Sequence, residues 1–114
     1  DGPARLLGEA WARFGRPLAI TEAHLGCTRE QQARWLAHVW REAREARARG
    51  ADVRAVTAWS AFGAYDWDSL LTRDAGHYEP GVFDVRGTEH GRPPRPTALA
   101  AVVRDLATRG DSDH

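Results

Sequence analysis

The sequence predicts an α/β fold in which helices alternate with strands of a parallel sheet, and it predicts that the sheet is only part of a larger one. Three observations carry this. The elements read in the order helix, strand, helix, strand, long loop, helix, which is the pattern of βα units around a parallel sheet. The second strand segment, "VRAVTAW", is made of small and β-branched residues that suit burial on both faces. Two strands are too few for a stable sheet of that type, and a structureless loop as long as 68–95 is unusual in a compact small domain. Both features point to a fragment of something larger.

The first helix is expected over 3–14. Asp1 or Gly2 can cap it, Pro3 suits its first turn and Gly15 its C′ position. Leu6, Leu7, Ala10, Trp11 and Phe14 recur at helical spacing as its apolar face. A short run, "LAITE", follows as a buried strand over 18–22. The strongest helix is expected over 29–49, with Thr28 and Gln31 as a capping box and Leu36, Val39, Trp40 and Ala43 as the buried stripe. Arg41, Glu42, Arg44, Glu45 and Arg47 fall on its wet side, and Gly50 ends it. The second strand is expected over 53–59. A long loop over 68–95, rich in Gly, Pro and charge, has room for one brief strand at "GVFDV". The last helix is expected over 97–108, on Leu99, Val102, Val103 and Leu106. No internal repeat or low-complexity segment is present.

Composition narrows the functional classes. The chain has 114 residues and a formal net charge of zero, so no electrostatic footprint points to nucleic acid or to an anionic membrane. No apolar run approaches the roughly 20 residues that span a bilayer, and the N-terminus lacks the apolar core of a signal peptide. Without such signals a cytoplasmic location is expected; the single cysteine, Cys27, fits a reducing compartment and excludes the Cys-rich zinc sites. The chain opens on Asp1 without an initiator methionine, as expected of a processed, tagged or excised piece.

In α/β folds, chemistry collects where strands end and βα loops begin. Glu22 and His24 fall there for the first strand; Trp59, Asp66 and Trp67 fall there for the second. A carboxylate flanked by indoles suits a sugar, because ring faces stack on pyranose C–H groups and acids take the hydroxyls. The residues alone leave a second reading open, in which Glu22 is an ordinary surface acid and the tryptophans are core. Trp11, Trp35 and Trp40 sit at helical positions and read as core or edge. His24, Cys27, His77 and Glu79 match no zinc signature by spacing, so no metal is expected. No phosphate loop, G-x-S-x-G elbow or dinucleotide fingerprint is present, so no cofactor is expected either.

Four segments resemble family 1 glycoside hydrolases, collinearly over roughly residues 16–107. "PLAITEAHLG" is similar to the strand-seven segment of that family, P-I-Y-I-T-E-N-G. "AVTAWSAFGAYDW" is similar to the strand-eight segment, with Trp59-Ser60 on its W-S pair and Asp66-Trp67 on its E-W pair. "YEPGVFDVRG" resembles the loop that follows, and "RPTALAAVV" the closing helix. The nearest resemblance is to a bacterial subgroup whose barrel precedes a domain similar to dTDP-4-dehydrorhamnose reductase.

The resemblance implies the C-terminal βαβα portion of a (β/α)8 TIM barrel and retaining hydrolysis of β-glycosides, with two carboxylates about 5 to 5.5 Å apart. It implies Glu22 as the nucleophile, Trp59 as the surface on which the sugar stacks, Asp66 as a ligand of its hydroxyls and Trp67 as a pocket wall. The expected partners are a carbohydrate substrate, the remainder of the barrel and a reductase-like domain. Several positions depart from the pattern. Asp66 stands where the family has Glu, Gly63 where it has Asp, and His24 lies in "EAH" where it has "ENG"; His24 can then orient Glu22, touch the substrate, or simply pack. The general acid belongs to a strand-four segment absent from this chain, so the chain alone is expected to be inactive. The alternative is a barrel without catalysis that binds carbohydrate or acts as a scaffold in deoxysugar metabolism.

Overall fold

In the computed structural model, which describes residues 2–109, three helices cover one face of a two-stranded parallel sheet. Helix α1 (Pro3–Phe14) starts on its proline and stops at Gly15, whose left-handed backbone (φ 54°) lets its amide donate to the Trp11 carbonyl at 2.8 Å. Strand β1 (Leu18–Ala23) leads into α2 (Arg29–Ala48), which opens on the Thr28–Gln31 capping box. Strand β2 (Val53–Ala58) returns parallel to β1, in the register Leu18 to Val53, Ile20 to Val56 and Ala23 to Ala58.

Two short antiparallel pairs organise the segment after β2. Strands β3 (Ala64–Tyr65) and β4 (Tyr78–Glu79) form one; β5 (Phe83–Asp84) and β6 (Arg95–Pro96) form the other. Single 3₁₀ turns lie at Trp67–Ser69 and Thr88–His90. Helix α3 (Ala98–Arg109) then packs on α2. The stretch expected as loop is therefore tied down at several points. Its ties are side chains and two-residue ladders, which have no periodicity that a sequence could display.

The core lies between the sheet and the helices. Leu36 and Val39 of α2 meet Ala23, Val82, Leu99 and Ala100, with Ile20 and Val56 against them. A second cluster joins Ala43, Ala46, Ala51 and Val53, against which Leu7, Trp11 and Leu18 pack. Trp11, Trp35 and Trp40 are half-buried along these helices.

Three features differ from the sequence expectation. Ala19, Thr21, Arg54, Ala55 and Thr57 are exposed, so only the helix side of the sheet is covered. Leu6 and Phe14, expected on the buried face of α1, are 57% and 64% exposed, and Leu6 borders an open recess rather than a packed neighbour. Glu42, expected on the wet side of α2, is buried at 9% exposure. Its carboxylate accepts from the Ala4 amide at 3.2 Å. Helix α1 has no side-chain cap of its own, so α2 supplies one across the interface.

Candidate functional site

The C-terminal ends of β1 and β2 meet at the Trp59 amide, which donates to the Ala23 carbonyl at 3.3 Å. Just before this point β1 carries a bulge. Ile20 and Ala23 are three positions apart while their partners Val56 and Ala58 are two apart. The extra residue breaks the alternation: Leu18, Ile20 and Ala23 pack toward the helices, whereas Thr21 and Glu22 are both exposed. Bulges of this kind re-aim a side chain at the end of a strand. Glu22 lies at an open recess of about 470 Å³ between α1 and the free edge of β1, lined also by Leu6, Leu7, Ile20, His24 and Trp35.

Next to Glu22, three rings stand in a row. The His24 and Trp59 centroids are 4.7 Å apart with planes at 65°, and those of Trp59 and Trp67 are 5.6 Å apart at 34°. Trp67 is exposed and Trp59 half-buried. The Trp59–Ser60 peptide is cis. Both ring nitrogens of His24 meet acceptors: Nδ1 lies 3.2 Å from the Trp59 carbonyl oxygen and Nε2 2.5 Å from Oε1 of Glu79. Glu79 is buried, and it arrives on β4 through its pairing with Ala64. Sequence reasoning placed Glu79 only in a discarded metal set. Its partner lies 55 residues away in the chain, so no local signal marks it.

Asp66 is placed differently from its neighbours. Its backbone is left-handed (φ 54°) and it is 6% exposed. One carboxylate oxygen accepts from the Ala75 and Gly76 amides at 3.2 and 3.1 Å, the other from the His77 amide at 2.9 Å. These bonds, His77's first, hold the carboxyl below the usual aspartate range. The carboxylate thus closes the loop 66–77 on itself and sets Trp67 beside Trp59.

Gly63 has a local reason. A β-carbon there would stand 2.0 Å from the Tyr78 hydroxyl, which donates to Asp84 at 3.1 Å. Asp84 also accepts from the Arg86 and Arg95 guanidinium groups at 2.9 Å each. Arg86 first holds its carboxyl far below the usual range. This network braces β4, β5 and β6 behind the site.

Of the set His24, Cys27, His77 and Glu79, the structure joins His24 to Glu79. Burial and then the Glu79 charge push the Cys27 thiol up, and it donates to the Leu25 carbonyl at 3.1 Å. His77 is exposed, and its amide serves Asp66. Among the described residues no group of three or more His, Cys, Asp or Glu could hold a metal ion, and no helix is long and apolar enough to cross a membrane.

No family model matches the sequence, and no curated protein matches it. Solved structures do. The β-glycosidase of the hyperthermophile Thermosphaera aggregans is 23% identical with a TM-score of 0.75, over 94% of this chain and 21% of that one. The β-glycosidase BGL167 is 21% identical with a TM-score of 0.74, over 94% of this chain and 24% of that one. A hyperthermophilic β-glucosidase mutant that forms a dodecamer in the crystal is 25% identical with a TM-score of 0.66, over 89% and 22%. The chain spans less than a quarter of the length of each. In fold, it is a βαβα portion of the (β/α)8 barrel that these β-glycosidases share.

Proposed function

We propose that this chain is the strand-seven and strand-eight part of a retaining β-glycoside hydrolase of family 1, and that it works only within a complete barrel. The observation that carries this reading is the exposed Glu22, on a bulge at a strand tip, beside the ring row His24, Trp59 and Trp67. In a barrel, that end of the strands is the mouth in which substrates bind.

Glu22 acts as the nucleophile. Its carboxylate oxygen attacks the anomeric carbon as the glycosidic bond breaks, and the leaving oxygen takes a proton from an acid on another strand. Water then releases the sugar from Glu22. Trp59 offers its face to the pyranose ring, Trp67 walls the pocket and His24 meets substrate at its edge. Asp66 stands where the sequence pattern assigns a ligand of sugar hydroxyls. With three amides on its carboxylate, it contributes mainly by holding Trp67, and any hydroxyl it binds must use its remaining lone pair. A following reductase-like domain and a cytoplasmic location accompany this reading; the first rests on the sequence resemblance, the second on the lack of a visible signal segment.

The test is turnover of an aryl β-glycoside by the protein that carries the complete barrel. Glu22→Gln is expected to lower kcat by a factor on the order of 10^4, while the 114-residue chain alone shows no turnover. Hydrolysis by the chain alone, abolished by Glu22→Gln, contradicts the need for a second carboxylate.

The engagement of Asp66 with backbone amides favours one alternative, a barrel that binds carbohydrate without cleaving it. That reading predicts saturable binding of the glycoside with no release of its aglycone.

A further inference from the structure

We propose that Glu79 is a positioning residue for the sugar-binding surface: acting through His24, it fixes the Trp59 ring against which the sugar lies. This deepens the glycosidase reading and rests on its assignment of Trp59 as the stacking surface.

A backbone carbonyl and a carboxylate are both acceptors. The Trp59 carbonyl therefore accepts from Nδ1 of His24, and Nε2 shares a hydrogen bond with Glu79. Together the two contacts fix the ring plane. A histidine on a free rim would turn about its side-chain bonds; here both nitrogens are held, at 3.2 and 2.5 Å.

The consequence falls on Trp59. The held ring meets the indole edge-on at 4.7 Å, and it is tied to the same residue's carbonyl. His24 thus grips Trp59 by backbone and by ring. Glu79 holds that grip from behind. It is 8% exposed, so its bond to the ring competes little with water. The turn that carries His24 packs closely on it, since a β-carbon on Gly26 would stand 3.5 Å from Oε1 of Glu79. Strand β4 fixes Glu79 in turn by pairing with β3, the strand just before Asp66 and Trp67. One buried carboxylate therefore couples the β1 tip, the β2 tip and the hairpin under Trp67.

The experiment uses the complete barrel and an aryl β-thioglycoside, which binds without being cleaved, so that binding is read separately from hydrolysis. Glu79→Ala and His24→Ala are each expected to weaken binding about tenfold, the scale of one lost ring contact. The double variant is expected to bind no worse than either single one, because Glu79 acts only through His24. Glu79→Gln, whose amide can donate to Nε2, restores binding to within about twofold of the wild type. With the cleavable aryl β-glycoside, Glu79→Ala raises KM while kcat stays within about twofold, and Glu79→Gln returns KM toward the wild-type value. Unchanged binding in Glu79→Ala overturns the proposal, as does a double variant that loses the product of the two single effects. Neither result touches the role of Glu22. Conversely, loss of binding in these variants of a protein that never releases the aglycone upholds the role of Glu79 and overturns the hydrolase reading.

Discussion

Asp66 and Asp84 show how single carboxylates replace a hydrophobic core in the segment after β2. Asp66 accepts from amides 9 to 11 residues on, and Asp84 from Tyr78, Arg86 and Arg95; each is held below the usual aspartate range, Asp66 first by the His77 amide and Asp84 first by the Arg86 guanidinium. A carboxylate depressed in the folded state stabilises the fold above its unfolded value, near pH 4. That contribution is lost as pH falls through the lowered folded value. Carbon-13 titration of the two carboxyl groups should place both midpoints below about 3.9, with Asp84 the lower; a midpoint at or above that value contradicts the assignment. In the complete barrel, Asp84→Asn should cost about 2 kcal/mol in urea unfolding, toward the low end for charged hydrogen bonds because both arginines are largely exposed. Legibility at this scale is uneven. The strand-tip positions of Glu22, His24 and Trp59 follow from the order of elements. The burial of Asp66 and the link from His24 to Glu79 do not, since both depend on how a hairpin folds back over distances that no spacing rule covers.

Helix α2 is the element on which the others are assembled. Its stripe of Leu36, Val39, Ala43 and Ala46 serves both core clusters, and its Glu42 caps α1. In the complete barrel, Glu42→Ala should lower stability by about 1 to 2 kcal/mol, with the urea slope unchanged and faster amide exchange confined to α1. Glu42→Gln, which keeps one acceptor, should cost less. If both variants unfold like the wild type, the cap contributes nothing. Leu99→Ala removes the contact of α3 with α2 and should cost about 2 to 4 kcal/mol; a cost below about 1 kcal/mol would mean that α3 is loosely seated. The helices and the two long strands were legible because period and caps act within a few residues: the expected 29–49 helix is Arg29–Ala48, and the expected 53–59 strand is Val53–Ala58. Glu42 was misplaced because a charged residue beside arginines reads as solvated until a neighbouring helix end is brought to it. The β1 bulge was invisible for the same reason, since it exists only as a mismatch with β2.

The whole molecule has the form of a wedge cut from a rounder body. Its radius of gyration is 16.2 Å, against roughly 13 Å for a compact domain of this length, and its extents are 49, 33 and 21 Å. Among the described residues no large side chain is fully buried. One sheet face is bare, and parallel sheets are stable when both faces are covered. The sequence carried this conclusion in advance, because two strands and three amphipathic helices leave more apolar surface than they can cover. The isolated chain should therefore bind a hydrophobic dye and unfold with weak cooperativity, and the dye signal should fall when the missing barrel strands are supplied. A sharp, dye-free unfolding transition of the chain alone would make it a self-sufficient domain.

The most direct measurement of the central proposal is covalent trapping. The complete barrel would be incubated with an activated 2-deoxy-2-fluoro β-glycoside, which forms the glycosyl-enzyme faster than water releases it, and then digested for peptide mass mapping. The account predicts one added fluoroglycosyl unit per barrel, on the Glu22 carboxylate, and none in Glu22→Gln. A sugar adduct on any other residue, or hydrolysis that persists undiminished in Glu22→Gln, would contradict it.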